Sequence, residues 1–208
     1  MASIPVKKIE KAARDQGRSA SFLTQWTMFF RQFVKHPGMI GSIIPSSATL
    51  VETMLDGVNW HDVRLFVEYG PGVGTFTRPV LDKMGEDATL IAIDTNPDFI
   101  KYLRKSIHDP RLVPVNGSAA DVEAIVKEHG FESADYVLSG LPFSTLPPGV
   151  GDAIASATAR VIRPGGAFLV YQFSPKVLDF LKPFFDRIDR GFEWINVPPA
   201  TLFWANKD

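Results

Sequence analysis

Hydrophobic positions change their rhythm near residue 64. Beyond it, short apolar runs rich in β-branched residues alternate with amphipathic stretches. The runs are Leu65–Tyr69, Thr89–Asp94, Leu112–Asn116, Tyr136–Ser139 and Ala167–Phe173. Residues near 76–84, 97–107, 119–129 and 151–162 have helical spacing. Strand–helix alternation at this interval predicts a parallel sheet covered by helices. The end of the chain departs from the pattern. A helix near 175–188 is followed by Phe192–Val197, a Pro198-Pro199 turn and Thr201–Ala205. Strands joined so tightly are antiparallel, because a parallel pair needs a long crossover. The expected fold is α/β, mostly parallel, with one reversed strand in a C-terminal hairpin.

Before residue 64 the spacing is helical or irregular. Lys7–Arg18 reads as a helix or a mobile arm, and Ser19-Ala20-Ser21 as a cap for the segment that follows. That segment places Phe22, Trp26, Phe29, Phe30 and Phe33 on one face of a helix, which His36-Pro37-Gly38 ends. Pro45-Ser46-Ser47 opens a further helix through about Leu55, with a serine in the N-cap role. We therefore divide the chain into an N-terminal extension, residues 1–45, and a sheet domain, residues 46–208.

Composition narrows the classes. At roughly 150 residues per domain, 208 residues make one domain with a remainder. Leu, Ile, Val and Phe form about 30% of the chain, above the roughly 20% at which chains stay disordered. The absence of cysteine excludes disulfides, a thiolate metal site and a cysteine nucleophile. No secretory signal is expected after Met1, and no run reaches the ~18 apolar residues of a bilayer span. The net charge of −1 hides an asymmetry. Residues 1–40 carry Lys7, Lys8, Lys11, Arg14, Arg18, Arg31 and Lys35 against Glu10 and Asp15, a net of +5, which leaves −6 for the rest. A basic arm on an acidic body expects an anionic partner, nucleic acid or a membrane surface. His36, His61, His108 and His129 show no ligand spacing, so no metal is expected.

The first strand runs into Glu68-Tyr69-Gly70-Pro71-Gly72-Val73-Gly74. Glycines permit a tight turn and close approach of a ligand to the backbone. Thr75 stands where a dinucleotide fingerprint needs its third glycine, and no Gly-Lys-Ser/Thr follows for a phosphate loop. The second strand ends at Asp94, about 20 residues after Gly72, the offset at which an acid takes ribose hydroxyls. A carboxylate suits a cis-diol because it accepts two hydrogen bonds at once.

These residues resemble the class I S-adenosylmethionine-dependent methyltransferases. The resemblance covers roughly residues 64–205 and includes Arg163-Pro164-Gly165-Gly166 before the fifth strand. It implies a Rossmann-like, doubly wound, seven-stranded sheet and S-adenosyl-L-methionine as cofactor. By the same resemblance, Gly70, Pro71, Gly72 and Gly74 face the methionine part, with Glu68 ordering the loop. Asp94, followed by Thr95, holds the ribose. Gly117, Ser118, Ala119 and Asp121 lie at the adenine.

After the fourth strand comes Ser139-Gly140-Leu141-Pro142-Phe143. Methylation of nitrogen needs a neutral amine with its lone pair aimed at the methyl carbon, so catalysis is mostly positioning. A backbone carbonyl can hold the amine N–H groups, and an aromatic face can steady the cationic product. The stretch resembles the (Asn/Asp/Ser)-x-Pro-(Tyr/Phe) motif of amine and adenine N-methyltransferases. In strict register the polar position is Gly140, and Ser139 is one residue early, which disfavours adenine. The ammonium proton would pass to water or to a pocket hydroxyl such as that of Tyr69.

For the acceptor, the chain resembles bacterial phospholipid N-methyltransferases, which methylate phosphatidylethanolamine. The match rests on Ile40–Ser47, Val67–Arg78, Ser139–Pro142 and Val197–Ala200, the second also shared with ribosomal RNA adenine dimethylases. It implies phosphatidylethanolamine methylation, with successive transfers toward phosphatidylcholine. It also implies docking of the basic, aromatic N-terminus on anionic membrane, in the cytoplasm at the inner face of the cell membrane. The aromatic stripe could equally pack on the sheet domain. The alternatives are an RNA adenine N6-methyltransferase, disfavoured by the acidic body, a small-molecule amine N-methyltransferase, and a non-catalytic cofactor-binding module.

Overall fold

The computed structural model describes residues 45–172, 175–193 and 200–208. The expectations for residues 1–44 and the Pro198-Pro199 turn lie outside the described residues, and so does the serine cap, since the side chains of residues 45–48 are not described. The described chain forms one compact unit, Pro45–Asp208.

Seven strands form one sheet: β1 Leu65–Tyr69, β2 Thr89–Asp94, β3 Leu112–Asn116, β4 Ala134–Ser139, β5 Ile162–Gln172, β6 Arg187–Glu193 and β7 Ala200–Asn206. Their spatial order is β3-β2-β1-β4-β5-β7-β6. All neighbours are parallel except those of β7, which runs antiparallel to both β5 and β6. The expected doubly wound sheet with one reversed strand is thus present. Chain order reverses between β1 and β4, the crevice where open α/β sheets place their ligands.

Helices α1 Pro45–Leu55, α2 Thr77–Lys83, α3 Pro97–Ser106, α4 Val122–Glu128, α5 Val150–Val161 and α6 Val177–Leu181 flank the sheet. Local chemistry accounts for α3. The Asn96 side chain accepts from the Asp98 N–H at 2.9 Å, Pro97 occupies the first turn, and Arg104 and Lys105 close the last. Strand residues alternate between two cores. Leu65, Val67, Ile91, Val137 and Phe168 pack under Val122, Val126, Ile154 and Val161. Phe66, Leu90, Leu138 and Leu169 pack under Met54, Leu55, Val80 and Leu103.

Two boundaries differ from expectation. The helix expected near 175–188 is only Val177–Leu181, and β6 starts at Arg187 rather than Phe192. Pro183 accounts for the early stop, since it has no N–H with which to continue the helical ladder beyond Lys182. The fifth strand begins at Ile162, with a register shift between Ala134 and Tyr136. Gly166 makes that shift possible: a Cβ there would lie 2.2 Å from the Asp135 carbonyl. Asp135 closes this end of the sheet by accepting from the N–H groups of Arg64 and Leu65 at 2.7 and 2.8 Å and from Arg163 Nε. Among the described residues, no helix is long and apolar enough to cross a membrane.

Candidate active site

At the end of β1 the chain leaves the sheet through Gly70, Gly72 and Gly74, with φ of 64°, 55° and 86°. These left-handed values strain any side-chain-bearing residue, so the loop requires glycine. The Gly70 N–H donates to the Ile93 carbonyl at 2.9 Å, tying the turn to β2. A Cβ at Gly70 would lie 3.0 Å from Leu141, so the loop also abuts the turn after β4. Pro71 is buried, while Gly72 is half-buried.

Glu68 is buried at the base of this loop and accepts a 2.6 Å hydrogen bond from Thr77 Oγ1, at the start of α2. Burial pushes its pKa up to about 7, helped by the Asp94 charge and opposed by the Thr77 bond. Asp94 is partly buried at the end of β2, and burial also raises its pKa, against backbone hydrogen bonds from Asn96 and Gly72. The Asn96 N–H donates to Asp94 Oδ1 at 2.8 Å. A carboxylate has about four lone-pair sites, so acceptor capacity remains for a diol. Thr95 is exposed beside it.

The loop after β3 is fastened to the same strand. The Gly117 N–H and Asn116 Nδ2 both donate to the Asp94 carbonyl, at 3.1 and 2.9 Å. The structure thus brings Gly72, Asp94 and Gly117 together. Ser118 Oγ accepts from the Ala120 N–H at 3.2 Å and caps the following 3-10 turn. Ala119 is buried and Asp121 is exposed.

On the other side of β1, the Gly140 N–H donates to the Tyr69 carbonyl at 3.1 Å. Ser139 is fully buried, and its Oγ accepts from the Leu141 N–H at 3.1 Å, which fixes the turn. Pro142 is half-buried. Two expectations are corrected here, those for the Phe143 ring and the Tyr69 hydroxyl. The Phe143 ring offers no face to a product cation: it is 1% exposed, with ring centroids 6.3 Å from Phe168 and 5.7 Å from Phe180. The Tyr69 side chain points to the opposite face of β1 from Glu68, and its hydroxyl meets Thr158 Oγ1 at 3.0 Å in the core. Burial drives its pKa well above the ordinary phenol value, so it takes no proton from an amine. The Leu141 carbonyl already accepts from the Phe143 N–H at 3.0 Å and from Gln172 Nε2, which fills its two lone pairs.

Four residues of the site carried no expected role: Thr77, Asn96, Tyr171 and Gln172. An acid at a strand end followed by Asn-Pro is a readable cap signal for Asn96. Thr77 lies within the Val67–Arg78 stretch. The last two become visible only when β5 is laid beside β4. Among the described residues no three His, Asp or Glu side chains gather as a metal site.

A crevice at the topological switch point, a left-handed glycine loop and a partly buried acid at the next strand end define a nucleoside-binding α/β enzyme. The comparisons agree. A family model described as "Methyltransferase domain" matches residues 66–166. An ornithine lipid N-methyltransferase from Singulisphaera acidiphila is 32% identical over 180 residues, covering 86% of this chain and 94% of the relative. A ribosomal RNA small subunit methyltransferase H from Shewanella baltica is 34% identical over 108 residues, covering 51% of this chain and 34% of the relative. Among solved structures, the N-methyltransferase NodS from Bradyrhizobium japonicum has a TM-score of 0.62 at 12% identity, over 79% of this chain and 98% of that one. The T. thermophilus 16S rRNA N2 G1207 methyltransferase, in complex with AdoMet and guanosine, has a TM-score of 0.58 at 20% identity, over 80% and 44% of the two chains. The chain belongs to the class I S-adenosylmethionine-dependent N-methyltransferases. Its cofactor is S-adenosylmethionine, and the residues present fit it: Asp94 keeps acceptor sites for the ribose diol, and the half-buried Gly70 and Gly72 present backbone without a side chain at the crevice.

Proposed function

We propose that this enzyme methylates the primary amine of a membrane lipid. The observation that carries the reading is its 32% identity, over 86% of the chain, to an ornithine lipid N-methyltransferase. The acceptors to distinguish are the phosphatidylethanolamine that the sequence resemblance implies and ornithine lipid. Both present an amine on acyl chains. The body's charge of −6 supports this reading over RNA, whose binding favours a basic face.

The chain's own part is positional. When bound, S-adenosylmethionine supplies a sulfonium methyl and a thioether leaving group. Asp94 and the glycine loop would orient the nucleoside, and buried Glu68 holds the base of that loop through Thr77. The Gly140–Pro142 turn walls the crevice on the acceptor side.

The N-terminal segment completes the reading. Its net +5 would draw it to an anionic surface at about 1 kcal/mol per basic residue. We infer from this a peripheral enzyme on the cytoplasmic face of the cell membrane. Methyl-labelled cofactor is incubated with phosphatidylethanolamine vesicles, ornithine lipid vesicles and ribosomal RNA in parallel. Label extracted with either lipid supports the reading, and label confined to RNA refutes it. Deleting residues 1–18 should abolish salt-sensitive vesicle binding; unchanged binding refutes the electrostatic docking.

A further inference from the structure

Tyr171 lies at the C-terminal end of β5. The pairing Ser139 with Val170, and Tyr69 with Ser139, sets Gly70, Gly140 and Tyr171 side by side across three strand ends. Alternation along the strands puts the Tyr171 side chain on the same face as Leu169, Phe66 and Glu68, and it packs against that core. Its ring stacks on Phe76, centroids 5.0 Å apart, and Phe76 closes the glycine loop. On the other side the ring lies against Gly140, where a Cβ would stand 2.7 Å from the hydroxyl oxygen. The phenol is therefore clamped between the glycine loop and the turn after β4.

Tyr171 is half-buried, and its hydroxyl makes no hydrogen bond to another described residue. A sheltered polar group without a protein partner is left for water or a ligand. Gly140 puts no side chain between the hydroxyl and the turn after β4.

We propose that Tyr171 receives the acceptor amine: its hydroxyl oxygen accepts an N–H of the neutral amine and so aims the nitrogen lone pair at the methyl carbon. The proposal rests on the lipid-amine reading above. In the step, the lone pair forms the N–C bond while the C–S bond breaks, and the bonding pair stays on sulfur. The ammonium product then releases a proton to water. Tyr171 stays a neutral phenol throughout, since burial and the Glu68 charge push it up to about 12. A primary amine offers two N–H groups, a methylated one offers one, and a dimethylated one offers none. Tyr171 thus serves the first two transfers and not a third.

The test is Tyr171→Phe in the full-length enzyme, with vesicles of primary-amine lipid and of its N,N-dimethylated form. Loss of one hydrogen bond to the reacting nitrogen should lower kcat on the primary amine by about tenfold. Cofactor Kd and Tm should stay near wild type, and turnover of the dimethylated lipid should be spared. Gly140→Ala, which crowds the hydroxyl, should reproduce the loss. Adding it to Tyr171→Phe should cost little more, because both act on one contact. A primary-amine kcat within twofold of wild type overturns the proposal, as does an equal loss on both lipids or a matching loss of cofactor affinity. A wild-type enzyme that methylates neither lipid overturns the lipid reading and this proposal with it.

Discussion

Replacing Glu68 by Gln removes a charge that the fold keeps from water. The carboxyl is 2% exposed, and its one side-chain partner is Thr77 Oγ1 at 2.6 Å. Its pKa rises from 4.5 to about 7, chiefly through burial. A raised value means that the folded protein holds the proton more tightly than the unfolded chain. The stability this contributes is whole below about pH 4.5 and is lost as pH rises through 7. At 1.36 kcal/mol per tenfold, the span is about 3 kcal/mol, most of it lost between pH 5 and 8. Glutamine keeps an acceptor for Thr77 and never ionises. Urea unfolding of ligand-free protein at both pH values measures the effect. Wild type should fall by about 3 kcal/mol relative to Glu68→Gln as pH rises. A difference between the two proteins that is the same at pH 5 and pH 8 would refute the reasoning. The cofactor, whose sulfonium is positive, should invert the preference: it favours ionised Glu68, so wild type should bind it more tightly than Glu68→Gln at pH 8.

Asp94→Ala should weaken cofactor binding about tenfold or more, since hydrogen bonds to a charged group contribute roughly 1.5–3 kcal/mol; unchanged affinity by calorimetry removes Asp94 from the site. Asp135→Ala strands the N–H groups of Arg64 and Leu65 and the guanidinium of Arg163, so a loss of about 3 kcal/mol is expected in denaturant unfolding. Gly166→Ala drives a Cβ into the Asp135 carbonyl at 2.2 Å and should cost several-fold more stability than Gly85→Ala, which meets nothing within 4 Å. Equal melting temperatures for the two glycine variants would refute the close approach.

Much of the fold is legible because strand–helix alternation is a local signal. β1, β2 and β3 have the bounds that the apolar runs predict, and the reversed strand follows from a short connection. The C-terminal region was harder because Lys182-Pro183 sits inside an apolar stretch that continues through Phe184 and Phe185. Only the pairing of β6 with β7 shows that Arg187–Glu193 is extended. The start of β5 was hidden for a similar reason. Pro164-Gly165-Gly166 reads as a loop, yet it carries the register shift of a strand.

The site divides along a different line, between backbone and side chain. Motif spacing locates turns, so the glycine loop, Asp94 and the Ser139–Phe143 turn lie where the spacing puts them. It says less about where a side chain points. Glu68 and Tyr69 are adjacent in a strand, so they must face opposite sides of the sheet. If Glu68 serves the loop, then Tyr69 belongs to the core, and alternation alone could have separated them. Phe143 is a subtler case. A Phe at the end of this motif suggests an aromatic wall, but Phe168 and Phe180 enclose its ring from distant parts of the chain. The aromatic beside the turn is Tyr171, from the next strand, whose hydroxyl occupies the space that a side chain at Gly140 would need. Gly140, which departs from the polar residue of the motif, is therefore better understood together with Tyr171. The position without a side chain admits a phenol from β5, and the polar atom that the motif lacks in sequence is present in space.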